Sequence, residues 1–88
     1  MVEGYVLLAE AWAASSEPPG RDDLAVLESG VRLFPHHSDL VYRTAELNVR
    51  HGFAESARWL ITLGLTLASD PAGRARFEAL QGKAAGAK

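Results

Sequence analysis

The sequence predicts an all-α fold made of antiparallel helix-turn-helix repeats, with about five helices in total. Apolar residues recur at three- and four-residue intervals along the chain, which is the period of a helix packed on one side. Prolines and glycines separate these segments, and both residues interrupt helices. The chain also resembles itself at an offset of 34 residues, which is typical of a repeat. The pairs matched by this offset are Leu7 with Val41, Ala11 with Ala45, Leu27 with Ile61, Gly30 with Gly64, Val31 with Leu65, and Leu33 with Leu67.

Composition limits the class of protein. The chain has 88 residues, of which 48% are hydrophobic and 23% charged, and this fits one small soluble domain over residues 1–88. It has no cysteine, which excludes disulfides and thiolate metal sites. Its net charge of −2 disfavours nucleic acid as a partner, because phosphate neutralisation needs clustered Lys and Arg. No apolar run reaches membrane-spanning length and no N-terminal signal pattern is visible, so we expect no membrane partner and a cytoplasmic location.

The first repeat is predicted over residues 4–37 and contains two helical segments. Segment one, residues 3–15, is apolar on two sides, which indicates packing on two sides. Two prolines and a glycine in the stretch 15–20 end it. Either Asp22 or Asp23 is expected to be the N-cap of segment two, which Pro35 ends. The apolar stripe of segment two is Leu24, Leu27, Val31 and Phe34.

The second repeat is predicted over residues 38–71. Segment three is expected to begin at a cap formed by Ser38 or Asp39 and to end near Arg50, with Gly52 as its C-terminal glycine. Segment four, residues 53–68, has only a narrow polar stripe, so we expect neighbours around most of it. Trp59 lies on its outer side, where contact with the following segment is the favoured interpretation.

A capping helix over residues 71–82 and a flexible tail over residues 83–88 are predicted to follow. Asp70 and Pro71 have the order of an N-cap and a first helical residue. Ala79 matches Ala45 at the 34-residue offset, so segment five would be the first helix of an incomplete third unit.

Gly30 and Gly64 are predicted to be sites of close packing. A glycine inside a helix costs about 0.5 to 1 kcal/mol relative to alanine, so two of them in register indicate a compensating contact. We expect a neighbouring backbone to approach each glycine. The alternative is that both placements are incidental.

These features resemble the tetratricopeptide repeat family, whose 34-residue unit combines small and large apolar positions, a hinge glycine and a closing proline. The resemblance covers about residues 4–82. The matching residues are Leu7, Ala11, Leu27, Gly30 and Pro35 in the first unit and Val41, Ala45, Gly52, Ala57, Ile61 and Gly64 in the second. The departures are Glu10 and Thr44 in place of leucine, Ala14 and Asn48 in place of an aromatic, Asp23 in place of alanine, and a late Pro71. An unrelated small helical bundle is the alternative fold.

The resemblance implies a scaffold that holds a protein or peptide on the inner face of its first helices. A carboxylate clamp is not expected, because apolar and acidic residues stand where its Lys and Asn would be. An aromatic surface with two acids favours an apolar or basic partner segment. The alternative is that the aromatic residues pack against one another or against further chain. The predicted groove set is Tyr5, Leu8, Trp12 and Ser15 from the first unit and Asp39, Tyr42, Glu46 and Val49 from the second.

No motif predicts catalysis, a metal or a cofactor. His36, His37 and His51 are the candidates for acid-base or metal chemistry, but they lie in two connectors predicted at opposite ends of the bundle. The stretch 20–23 lacks the spaced glycines and the lysine of a phosphate-binding loop. We therefore expect exposed loop histidines and a protein that is not an enzyme.

Charge is distributed unevenly along the chain. Residues 1–44 carry seven acids and three bases, a net charge of −4, whereas residues 45–88 carry four acids and six bases, a net charge of +2. Chance combined with helix-dipole preference is the simpler interpretation, and head-to-tail self-association is the other. The alternative function is therefore a structural or self-associating homo-oligomeric module, a fragment of a larger protein with no ligand of its own.

Overall fold

Five helices account for most of the chain. The computed structural model describes residues 2–17 and 20–86, with side chains up to residue 83. The helices are α1 (Val2–Ala14), α2 (Arg21–Leu33), α3 (Ser38–Arg50), α4 (Ala54–Leu67) and α5 (Pro71–Gly86). They pack antiparallel, and no strand occurs among the residues described. The predicted all-α fold with five helices is confirmed.

The ends of the first four helices lie within two residues of the predicted ends, whereas α5 is longer than predicted. It continues to Gly86 instead of ending at residue 82. Residues 83–86 of the predicted tail are therefore helical. The last two tail residues and the prolines of the first hinge lie outside the described residues.

Two helix termini have the chemistry that the sequence predicts. Gly52 follows α3 with a φ of +84°, a conformation that glycine adopts without steric cost. The N–H of Gly52 donates to the Val49 carbonyl, and the N–H of Phe53 donates to the Asn48 carbonyl, which is the Schellman pattern. At the start of α5, the Asp70 carboxylate accepts from the Gly73 N–H at 3.3 Å. The end of α3 and the start of α5 are thus both determined by residues close to them in the sequence.

Two other caps differ from the prediction. The N-cap of α2 is Gly20, and Asp23, already in the helix, accepts the Gly20 N–H at 2.9 Å. The N-cap of α3 is His37, whose Nδ1 accepts from the Leu40 N–H at 3.2 Å. The N-cap lies two or three residues earlier than expected in α2 and one or two residues earlier in α3, so the residues expected as caps lie within the first turn of each helix. His37 therefore has a structural role that the sequence analysis did not assign.

Helices α1, α3 and α5 form a row with α3 at its centre. Helix α3 packs against α1 on one side and against α5 on the other. Helix α2 packs against α1 and α3, and α4 packs against α3 and α5. Since α1 and α5 do not pack against each other, they form the two ends of the row within the described chain.

The core consists of two apolar clusters joined by α3. Every residue of both clusters is at most 2% exposed. The larger cluster is Val31, Leu40, Val41, Ala45, Ala57, Leu60, Ile61, Phe77 and Leu80. The smaller cluster is Ala9, Leu24, Leu27 and Leu47.

Two polar residues are buried in the same helix, at positions where the sequence departs from the family pattern. Thr44 and Asn48 are fully buried, and the Asn48 Nδ2 donates to the Thr44 carbonyl at 2.8 Å. Among the described residues, the Thr44 hydroxyl has no hydrogen-bond partner. An unpaired buried hydroxyl is destabilising, so Thr44 is a weak point of the core.

The 34-residue register does not hold for burial in the first and last helices. Val41 and Ala45 are fully buried in α3, but Leu7 is 65% exposed, and both Ala11 and Ala79 are exposed. Helix α3 has neighbours on both sides of the row, whereas α1 and α5 each have one. Only one side of an end helix can be buried, and α5 turns Phe77 and Leu80 inward because they remove more apolar surface from water than alanine.

An aromatic ring, and not the expected backbone, is the group that approaches Gly30 and Gly64 most closely. A Cβ at Gly30 would lie within 3.0 Å of three Tyr5 ring atoms, and a Cβ at Gly64 would overlap the Phe77 ring. Tyr5 belongs to the helix that precedes Gly30 in the chain, whereas Phe77 belongs to the helix that follows Gly64. The missing side chain at each glycine thus leaves the space in which an aromatic ring packs.

Trp59 has a cation–π contact with α2, a helix that the sequence pattern does not predict as its neighbour. The Arg32 guanidinium of α2 lies 4.7 Å from the centroid of the Trp59 ring, which is 39% exposed. This cation–π contact links α2 to α4, whose backbones do not pack against each other.

Candidate partner-binding site

The predicted groove set lies on α1 and α3, two adjacent helices of the row. Its two halves have different surroundings. Of the side chains from α1, Tyr5 packs against α2 and the larger apolar cluster, and Leu8 and Trp12 pack against the smaller cluster, whereas those from α3 lie beside α5. The structure brings only the α3 half together with residues of α5.

The aromatic residues of α1 pack within the chain. The Tyr5 ring lies against Gly30 and has its centroid 6.3 Å from that of Phe34. Leu8 and Trp12 are half-buried against the smaller apolar cluster. Ser15 is exposed just after the helix. These contacts agree with the packing alternative, although the partners are residues of α2 and the core.

Tyr42 is also engaged, at the junction of α3 and α5. Its ring meets the Phe77 ring edge-on, with centroids 5.7 Å apart and an interplanar angle of 83°. The Arg76 guanidinium lies 4.4 Å from the Tyr42 centroid, within cation–π range. Tyr42 therefore joins the two helices, and α5 covers part of its surface.

Ion pairs connect the three helices of the row. Arg43 of α3 bonds Asp39 at 2.9 Å and reaches Glu10 of α1 at 3.2 Å. Arg76 of α5 approaches Asp39 at 3.9 Å. The hydrogen bond that Arg43 donates to Asp39 and the charges of the nearby carboxylates raise the pKa of Arg43 above its usual value, so its charge is fixed. These pairs are partly exposed and add little stability, but they neutralise the acids of this surface.

A cleft of about 250 Å³ lies between α3 and α5 and contains two members of the predicted groove set. Val49 and the buried Leu80 provide its apolar surface, and Glu46, Arg50 and Lys83 provide its polar surface. Glu46 and Arg50 are 4.0 Å apart, and Arg50 also donates to the Ala13 carbonyl at the end of α1. The cleft therefore combines an apolar surface with charged side chains of both signs.

Arg50, Leu80 and Lys83 also line this cleft, although the sequence pattern does not place them in the groove. The pattern indicates Arg50 only as the end of segment three, and it places Lys83 in the tail because it predicts the end of α5 at residue 82. Continued helical periodicity beyond Gly82 would have been the signal, since Lys83 lies one turn after Leu80. The basic side chains change the charge of the surface from acidic to nearly balanced.

Two further hollows contain no member of the predicted groove set. One of about 360 Å³ is lined by Leu33, Phe34, Pro35, His36 and His37 at the first inter-repeat loop. One of about 290 Å³ lies beside Arg21 and the residues 52–56. His36 is exposed, while His37 and His51 are half-buried. Within residues 2–17 and 20–86, no group of three or more His, Cys, Asp or Glu side chains is placed to bind a metal.

Comparison with known proteins gave no match to a protein-family model, a curated protein or a solved structure. Among the described helices, none has the length and apolar character needed to cross a membrane.

Proposed function

We propose that this protein is a scaffold for protein–protein interaction, which binds a peptide segment of its partner across the row of α1, α3 and α5. The observation that carries the proposal is the cleft between α3 and α5, with Val49 and Leu80 at its base. An apolar side chain of the partner would fill this cleft and be removed from water. The remaining contacts would be made by the charged rim.

The packing order of the helices supports a tetratricopeptide-like arrangement as the basis of this proposal. Helices α1, α3 and α5 adjoin one another in sequence, and α2 and α4 each pack against the two members of the row that flank them in the chain. Such an arrangement leaves one side of the row free of second helices, and this side carries Glu10, Asp39, Tyr42 and Arg76. In this proposal, that surface serves as the inner face expected from the sequence.

The charges on this surface favour a partner anchored by an apolar residue. Asp39 and Glu10 each have an arginine within 4.0 Å, which weakens the case for a purely basic partner. At the cleft, Glu46 can attract a basic flanking residue and Lys83 an acidic one. The order of flanking charges would then set the direction in which the peptide lies.

Selection from a random peptide display library, followed by fluorescence polarisation, tests the proposal. Selected peptides should share one apolar anchor, and the amides of Val49 and Leu80 should show the largest chemical-shift changes in NMR spectra. Glu46→Lys and Lys83→Glu should change affinity by roughly fivefold, with opposite preferences for the charge flanking the anchor. Rim substitutions are preferable to Tyr42→Ala, because Tyr42 supports the packing of Phe77.

Arg58→Glu is the matched control, since Arg58 is exposed on α4 and lies outside the cleft. It should bind the selected peptides as the wild type does. Failure to select any peptide, or equal affinities for the rim variants and the wild type, would refute the proposed site.

A further inference from the structure

The α3–α5 cleft is lined by one acid and two bases. Glu46 and Arg50 belong to α3, and Lys83 belongs to α5. The Arg50 guanidinium lies 4.0 Å from the Glu46 carboxylate, and it also donates to the Ala13 carbonyl at 3.3 Å. Opposite charges this close offset much of each other's attraction for a third charge. Glu46 therefore attracts a basic side chain of a partner less than an unpaired carboxylate would.

Lys83 has no such counter-charge. All 11 Asp and Glu side chains lie in the part of the chain that the structure describes, and none of the ion pairs found there includes Lys83. Its neighbours three and four residues back on α5 are Leu80 and Ala79, which carry no charge. Lys83 is exposed and lines the cleft, so its charge is available to a partner.

Two acids farther along the row are paired as well. Glu10 lies 3.2 Å from Arg43. Asp39 lies 2.9 Å from Arg43 and 3.9 Å from Arg76. These acids add little attraction for a basic segment, so the available charge beside the apolar surface of the cleft is positive.

We propose that the segment bound in the α3–α5 cleft is acidic, with an apolar anchor against Val49 and Leu80 and an Asp or Glu beside it that pairs with the Lys83 ammonium. The inference rests on the proposed function and names the chemical class of the partner. The basic segment that an acidic groove would favour is disfavoured, because the acids of this groove are paired within the chain.

The spacing on α5 determines where the acid stands in the partner. Leu80 and Lys83 are three residues apart on one helix, so their Cβ atoms are about 5 to 6 Å apart. An extended peptide advances about 3.3 Å per residue. The acidic residue is therefore expected one or two positions from the anchor.

Peptides obtained by the display selection test this inference when the residue flanking their anchor is varied. Versions with Glu, Gln or Lys at that position are compared by fluorescence polarisation at about 50 mM and about 500 mM NaCl. At low salt the Glu version should bind about fivefold more tightly than the Gln version, and the Lys version should be weakest. The advantage of Glu should shrink at high salt, because screening weakens an exposed ion pair.

Lys83→Gln identifies the group responsible. This variant should bind the Gln version as the wild type does but lose the advantage of Glu, and Lys83→Glu should prefer the Lys version. Arg74→Gln is the matched control, because it removes one positive charge from an exposed position of the same helix. Arg74 pairs with Glu78 at 3.4 Å and does not line the cleft, so Arg74→Gln should keep the full preference for Glu.

The outcomes separate this inference from the proposed function. Equal binding of the Glu and Lys versions, a Glu preference that persists in Lys83→Gln, or its loss in Arg74→Gln would overturn the acidic partner. The cleft itself would then still stand if replacing the peptide's anchor with Ser abolishes binding. If that replacement has no effect, or if no peptide is selected, the proposed function fails and this inference fails with it.

Discussion

Replacing Gly64 with alanine is expected to destabilise the protein, against the usual effect of this substitution in a helix. Gly64 is buried inside α4, and a Cβ there would come closer than 3.0 Å to three atoms of the Phe77 ring. Phe77 is 1% exposed, and its ring is held edge-on by Tyr42. The ring therefore has little room to move away.

Two opposing contributions determine how much Gly64→Ala changes the free energy of unfolding. Alanine is favoured over glycine in a helix interior by about 1 kcal/mol. Overpacking a filled core costs about 1 to 3 kcal/mol. We expect the second term to win, with a net loss of about 1 kcal/mol in the free energy of unfolding. Gly82→Ala is the control, because a Cβ at Gly82 meets nothing within 4 Å, and this variant should gain up to about 1 kcal/mol.

Urea unfolding followed by circular dichroism measures these differences as shifts of the midpoint at constant slope. A double-mutant cycle with Phe77→Leu assigns the effect to the ring. Phe77→Leu should be destabilising alone, but Gly64→Ala should become neutral or stabilising in its presence, a coupling of about 1 to 2 kcal/mol. If Gly64→Ala stabilises the wild type as much as Gly82→Ala does, or if the cycle shows no coupling, the account of this glycine is wrong.

Two further substitutions test other features of the fold. Thr44→Val keeps the shape of a buried side chain and removes its unpaired hydroxyl, so urea unfolding should show a gain of about 1 kcal/mol; a loss would mean that the hydroxyl has a partner in solution. Gly52→Ala should lower the free energy of unfolding by about 1 to 2 kcal/mol, because φ is +84° at this residue. No side chain obstructs the added Cβ, so the loss would come from the backbone conformation alone. Unchanged stability in this variant would argue against the left-handed C-terminal cap of α3.

Much of the candidate site depended on contacts that the sequence pattern does not contain. Glu46 and Val49, two residues of the predicted groove set, both line the α3–α5 cleft, because they occupy one side of a regular helix. Tyr5 and Trp12 were assigned to the same surface, yet both pack inward. An aromatic side chain between the buried and exposed sides of a helix can turn towards the core or towards solvent, and the space available in the core decides which. For Tyr5 that space is provided by Gly30, one helix further along the chain.

The sequence alone determined the five helices and most of their ends. Proline, glycine and capping carboxylates act on the backbone within a few residues, so Gly52, Asp70 and Pro71 specify their turns without help from the rest of the protein. The apolar period likewise determined which helices must pack.

Only the tertiary structure decided which side of each end helix is buried. The 34-residue offset matches Ala11, Ala45 and Ala79, but only Ala45 of these three is buried, because among the described helices of the row α3 alone has neighbours on both sides. In α5, Phe77 competes with Ala79 for the interior and prevails because its burial removes more apolar surface from water. Leu7 is left exposed for the complementary reason, since the core-facing side of α1 is already occupied by Ala9 and its neighbours. Which residues are buried thus depends on side chains from several helices, and the sequence of a single helix does not determine it.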